Sequence, residues 1–446
     1  MTAKKPLDDF FTFLRFPSIS ADPAHKKDVQ ACGEWLVQRL QQAGLEAQLY
    51  PTQGHPIVLA RTSYDHSKKT VLIYGHYDVQ PVDPLSLWTH PPFEPHLENG
   101  IVTARGSADN KGQILAHILG VEKVLKEKGS LPVNVIFLIE GEEEVGSIDL
   151  GDFLKAHKEE LKCDVIAISD TNMVGPDEPA FTYGLRGIAC MEISVYGPAQ
   201  DLHSGAFGGA VANPVTILSR LIASLHDANE RIAVPGFYDD VKPLADWERK
   251  AWHDTDPDGM HLQLHSGAPA LTGEKGFSPV ECVWGRPTAE VNGLYGGYQG
   301  PGSKTVLPRE AHAKFSFRLV PAQKPELILQ QVEKHLRAHC PKTVRLEVYP
   351  GHHGLPYAVD PNTGFGKAAQ SALKQVFGKE PALIREGGSI PIVADFKEIL
   401  GVDTLLLGLA LPDCNAHSPN ETFPVSSLEK GIELNRALLE EIAKLK

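Results

Sequence analysis

The sequence predicts an α/β protein: a mostly parallel sheet flanked by helices, interrupted by an inserted α/β domain. Three observations carry this. Helix-period segments alternate with short apolar runs over roughly the first 170 residues, the chain then turns to Gly, Pro and turn residues, and a strand–helix pattern returns after Pro356. Alternating strands and helices are what a parallel sheet covered by helices requires. At 446 residues there is room for two or three domains. The reading is a discontinuous domain, 1–182 plus 357–446, around an insertion at 183–356.

Residues 28–43 set Val29, Cys32, Trp35, Leu36, Leu40 and Ala43 at helical spacing, and Gly44 ends the helix. β-rich runs follow at 45–50, 57–60 and 71–74. A helix at 111–128 leads into 133–139, an apolar run broken only by Asn134, of the kind buried on both faces. A helix at 147–161 and a buried strand at 165–168 come next, then turn residues over 175–187. The insertion reads as strand 188–195, helix 214–226, a weakly periodic stretch 227–304, strand 311–320, helix 325–339 and strand 343–349. The last part reads as helix 364–377, strands 382–385 and 404–409, and helix 427–444. His352 and His353, near the return to the first domain, read as a hinge or turn.

Composition narrows the partners. Lys plus Arg number 43 and Asp plus Glu 56, a formal net charge of −13 with no basic block. Such a chain suits neither a phosphate backbone nor an anionic membrane surface. No apolar run approaches the ~20 residues of a membrane span, and the first residues show no apolar core of a signal peptide. Six scattered cysteines without a CxxC pair read as reduced, which points to the cytoplasm.

Five clusters hold chemistry-bearing side chains. His76 and Asp78 follow the strand at 71–74, at the carboxyl end where ligands of α/β sheets gather. Residues two apart in extended chain point the same way, so Asp78 is placed to accept from the His76 ring. Asp109 and Asn110 precede a helix. Glu140, Glu142, Glu143 and Glu144 crowd the turn after the strand 133–139. Asp170 ends the strand at 165–168, and His417 follows 404–409. Each cluster alone also fits a plain structural part, such as a helix cap or a solvated acidic turn. Together they put two histidines and several carboxylates, with no cysteine, at strand ends that a parallel sheet gathers on one edge. That donor set suits two divalent ions such as zinc, manganese or cobalt and the hydrolytic chemistry they support.

The motifs GHYDVQP, RGSADNKG, EGEEEVGS, ISD, DLHSG, FRLVP, REGGSIP and AHSPNE also resemble, in order, those of the carnosinase and aminoacylase family of di-metal peptidases, on the dipeptidase branch. The resemblance implies that His76 and Asp170 bind one metal, Glu144 and His417 the other, and that Asp109 bridges them. It makes Glu143 the general base and Asp78 the residue that orients His76, and it implies a cis peptide bond after Asp109. It makes the insertion a lid and dimerisation domain, so that the protein is a homodimer. His203 would hold the oxyanion and Thr305 would assist, both across the dimer interface. Arg318 would grip the substrate carboxylate, and Gly387, Gly388 and Ser389 would bind the substrate backbone. The activity so implied is hydrolysis of dipeptides with a free carboxylate. A deacylase acting on N-acyl amino acids is the alternative, and a non-catalytic binding relative is a further one.

Overall fold

The computed structural model describes residues 4–388 and 390–445. The chain divides into two compact units. The first comprises Met1–Tyr183, Val359–Ile384 and Asp395–Lys446, the second Gly184–Ala358 and Arg385–Ala394.

The first unit is built on four neighbouring parallel strands, in the order Asn134–Glu140, Thr70–His76, Val165–Ile168 and Thr404–Leu406. Every residue of these four strands is buried, as their largely apolar sequences require of strands covered on both faces. Ile57–Arg61 adds antiparallel to Asn134–Glu140, and Glu46–Tyr50 adds antiparallel to that. The helices Gly112–Lys128 and Val425–Ala443 pack on one another, with Gly120 against Asn435. Because the four strands run in parallel, His76, Glu140, Ile168 and Leu406 all lie at one edge of the sheet.

The second unit holds a four-stranded antiparallel sheet in the order Thr288–Gly296, Glu310–Leu319, Gly187–Tyr196 and Arg345–Gly354. Ala189, Met191, Ile193 and Val195 alternate onto one face with Ala313, Phe315 and Phe317. That face meets the helices Pro214–Ala223 and Pro325–His339 through Leu218, Leu221, Val332 and Leu336.

Some local expectations differ from what is observed. Residues 180–185 are a fully buried strand rather than part of a turn region. A tertiary pairing of Thr182 with Leu406 overrides the local turn signal there. The helix expected over 147–161 is only Leu150–Ala156, since Ser147 and Gly146 take positive φ and delay its start. The stretch 227–304 contains the helices Asp246–Thr255, Met260–Ser266 and Pro279–Gly285 and a sheet strand. His352 and His353 lie in the strand Arg345–Gly354, across a register shift, and are not a hinge. All six cysteines are free thiols. Among the described residues no helix is long and apolar enough to cross a membrane.

One buried group makes the first unit sensitive to acid. His117, on the helix Gly112–Lys128, shares a 2.9 Å hydrogen bond with Ser169. Burial pushes its imidazole down to about 4. The unfolded chain binds this proton first as pH falls, so His117 contributes stability above about pH 6.5 that is lost toward about pH 4. Urea unfolding at pH 7 and pH 5 should show a drop about 2 kcal/mol smaller in His117→Gln than in the parent. Equal drops would place the acid sensitivity elsewhere.

Candidate metal centre

The site residues arrive from the ends of the parallel strands. His76 is the last residue of Thr70–His76 and is fully buried. Its backbone pairs with Glu140, so the turn carrying Glu143 and Glu144 lies beside it. Asp170 follows Val165–Ile168, the strand on the other side. Asp109 comes from the loop before Gly112–Lys128, and the peptide bond that follows it is cis. His417 sits in the loop after Thr404–Leu406 with φ of 60°, an uncommon backbone for a residue with a side chain. It is exposed, unlike His76.

Asp109 stands between the two histidines. Its Oδ1 lies 3.1 Å from His76 Nε2 and its Oδ2 lies 2.9 Å from His417 Nε2. Asp170 Oδ1 is 3.8 Å from His76 Nε2, and Glu144 Oε2 is 3.3 Å from His417 Nε2. Each imidazole therefore faces one oxygen of Asp109 and one further carboxylate. Ligand atoms of His76, Asp109 and Glu144 all lie within 4.8 Å of one another, close enough to hold a metal ion.

Supporting contacts fix these side chains. The Asp78 carboxylate accepts the backbone N–H groups of Glu143 at 3.2 Å and Glu144 at 3.0 Å. His76 Nδ1 lies 3.1 Å from the Asp78 carbonyl oxygen and 3.4 Å from its carboxylate. Asp78 thus serves the glutamate turn and the imidazole together, where the sequence suggested only the imidazole. Gln80 donates to Glu144 Oε2 at 2.8 Å. Asn110 Nδ2 donates to Asp170 Oδ1 at 2.7 Å and to the Ser169 carbonyl at 2.6 Å. Gly75 has no room for a side chain, since a Cβ would stand 2.7 Å from the Asn110 side-chain oxygen Oδ1.

The electrostatics divide the carboxylates. Burial first, then Asp170, Asp109 and Glu144, push the Glu143 carboxyl well above the ordinary range against the pull of His76. Burial and the neighbouring Asp109 also raise Glu144, and burial raises Asp170. Burial pushes Asp109 the same way, but hydrogen bonds from His417 and His76 outweigh it and hold that carboxyl low. Hydrogen bonds to Asp109 and Glu144 lift His417 to about 10. Raised carboxyls beside raised imidazoles mean that protons supply the positive charge these crowded donors need, a part that divalent cations on the same nitrogen and oxygen atoms would take over. The residues fit a metal centre by donor type, facing geometry and charge.

His203, Thr305, Arg318, Gly387 and Gly388, assigned by resemblance to substrate contact, lie in the second unit. His203 opens the short helix Ser204–Phe207, and its Nδ1 accepts from Gly205 N at 3.0 Å. A neutral imidazole accepting at Nδ1 carries its proton on Nε2, which leaves a donor on the outer edge of the ring. Thr305 is exposed, and its carbonyl accepts from Ser204 N at 3.0 Å. Arg318 is half-buried on Glu310–Leu319, opposite Thr288. The Gly387 carbonyl accepts from Arg186 Nε at 3.1 Å, and Gly388 is exposed beside it. Ser389 lies outside the described residues.

Sequence reasoning passed over Gln80, Arg186 and Glu421. Glu421 lies in the quoted AHSPNE motif, but nothing local to it shows that its carboxylate is buried against residues 105–109. Only a buried arginine partner would have drawn attention to it, and burial of Arg105 is not a local property.

The chain resembles known proteins over most of its length. A family model described as peptidase family M20/M25/M40 matches residues 72–441. "Cys-Gly metallodipeptidase DUG1" of Candida albicans is 35% identical over 440 residues, covering 94% of this chain and 90% of that protein. The human "Beta-Ala-His dipeptidase" is 35% identical over 402 residues, covering 87% and 78%. A crystal structure of an M20 family metallo-carboxypeptidase from Sulfolobus solfataricus is 34% identical, superposes with a TM-score of 0.86 and covers 99% of both chains. With strand-end histidines and carboxylates gathered at one sheet edge and a family match across most of its length, the chain belongs to peptidase family M20/M25/M40.

Proposed function

We infer that the protein is a metal-dependent dipeptidase, hydrolysing the peptide bond of dipeptides with a free C-terminal carboxylate. One observation carries the reading: Asp109 turns one oxygen to each histidine, and Asp170 and Glu144 each face one of the same two imidazoles. His76 and Asp170 would hold one divalent ion, Glu144 and His417 the other, with Asp109 shared. The ions are zinc in this reading, with manganese or cobalt as substitutes. When bound, such a pair supplies acidification of a shared water and polarisation of the scissile carbonyl.

The chain's own residues do the rest. Glu143 takes the proton of the attacking water and returns it to the leaving amine. His203 donates a hydrogen bond from its Nε2–H to the developing oxyanion. Arg318 grips the free carboxylate, which favours short substrates over long chains. The loop of Gly387, Gly388 and Ser389 aligns the substrate backbone. The insertion, 183–356 by the sequence reading, acts as lid and dimerisation domain. The protein works as a cytoplasmic homodimer in which His203 and Thr305 serve the neighbouring subunit's site.

The similarity to a metallo-carboxypeptidase favours a second reading, in which longer peptides are trimmed from their carboxyl end. The test is a substrate panel of free dipeptides, tripeptides and N-acetyl amino acids, assayed with chelator and after return of zinc or manganese. Cleavage of dipeptides that stops with chelator and recovers with metal is expected. Equal or faster release from tripeptides would move the assignment to a carboxypeptidase. Cleavage of N-acetyl amino acids alone would move it to a deacylase.

A further inference from the structure

We propose that Glu421 is a positioning residue for the shared carboxylate: it clamps the backbone of residues 105–109 so that Asp109 sends one oxygen to each histidine. This rests on the two-metal reading of the site. Glu421 is fully buried, and four donors converge on it. Its Oε2 accepts from Arg105 Nη1 and Gly106 N, each at 2.8 Å. Its Oε1 accepts from Ala108 N at 2.8 Å and from Asp109 N at 3.0 Å. Two oxygens thus tie down the charged partner and three backbone groups, the last belonging to Asp109 itself. Gly106, at φ 81°, supplies the backbone turn that aims these N–H groups inward.

The clamp also links the two halves of the site. Glu421 stands four residues after His417, just before the strand Thr422–Pro424, which pairs with Ile101–Thr103. The Ala104 amide donates to the Glu421 carbonyl at 3.0 Å and continues that pairing. The same loop is held at Asn420, whose side chain accepts from Thr89 N at 2.8 Å and donates to the Leu87 carbonyl at 2.9 Å. The segment that presents His417 therefore also holds the segment that presents Asp109. Glu421 touches no substrate or metal position in this scheme and acts only through Asp109.

Glutamine has the right size but only one accepting oxygen, and its NH2 would face two N–H donors. Cobalt titration followed by visible absorption reads the site without any substrate. Folded Glu421→Gln should bind cobalt about 10- to 100-fold more weakly, with an altered visible spectrum. Its kcat should fall by about 10- to 100-fold with KM nearly unchanged. Parental cobalt affinity and spectrum in the folded variant would overturn the proposal. If Glu421→Gln does not fold, Glu421→Asp, which keeps the charge but shortens the reach, takes the same titration: weakened binding supports the clamp and parental binding overturns it. A parent chain that binds cobalt but cleaves no dipeptide would defeat the dipeptidase reading and leave this test standing.

Discussion

Replacing Glu143 with Gln is expected to lower kcat by about 10²- to 10⁴-fold with both metal ions retained. The side chain keeps its size and place, so the backbone hydrogen bond from Glu143 N to Asp78 survives. What is lost is the ability to take a proton. Burial and three nearby carboxylates raise the proton affinity of Glu143 above that of an ordinary carboxylate, which suits a group that must receive a proton and then give it up. Steady-state kinetics together with metal analysis of the dialysed protein check this. Loss of a metal ion from Glu143→Gln, with Glu144→Gln keeping both, would exchange the roles of the two residues.

Asp109→Asn is expected to fall below two bound metal ions and to lose at least about 10²-fold in kcat/KM, more than loss of a ligand's outer partner costs. The carboxylate presents Oδ1 to His76 and Oδ2 to His417, at 3.1 and 2.9 Å. An amide can offer oxygen to only one of these sides, and its NH2 would meet the other. The carboxyl of Asp109 is also the one held low, so it stays charged where Glu143, Glu144 and Asp170 are pushed up. Asn at this position removes the most firmly ionised group of the cluster. Two metal ions with full activity in Asp109→Asn would end the bridging role.

How much of this was legible varies by residue. The buried strands were plain, because an unbroken apolar run such as Val135–Ile139 within Asn134–Glu140 has few other uses. The strand at 180–185 was not, because Gly184 and the preceding turn residues signal a loop and only its pairing with Leu406 makes it a strand. The three helices within 227–304 were likewise hidden, being short and set among Pro and Gly. Asp78 was read as a partner for His76 from the two-residue spacing, yet its carboxylate also accepts two backbone N–H groups 65 and 66 residues away. Spacing reports direction along one strand and nothing about what a distant turn brings near.

The sequence by itself determined the α/β class, the strand ends and the residue types that stand there, because hydrophobic period and strand-end position are local properties. It also placed His76, Asp109, Glu143, Glu144, Asp170 and His417 at strand ends or in loops that a parallel sheet must gather on one edge. Only the tertiary structure decided which carboxylate faces which imidazole, since Asp109 and His417 meet across 308 residues of chain. It alone showed Glu421 buried against residues 105–109, through a strand pairing set by the fold and not by either segment. Side-chain chemistry is written residue by residue, but burial and facing arise only when distant segments pack, and these give each carboxylate its part.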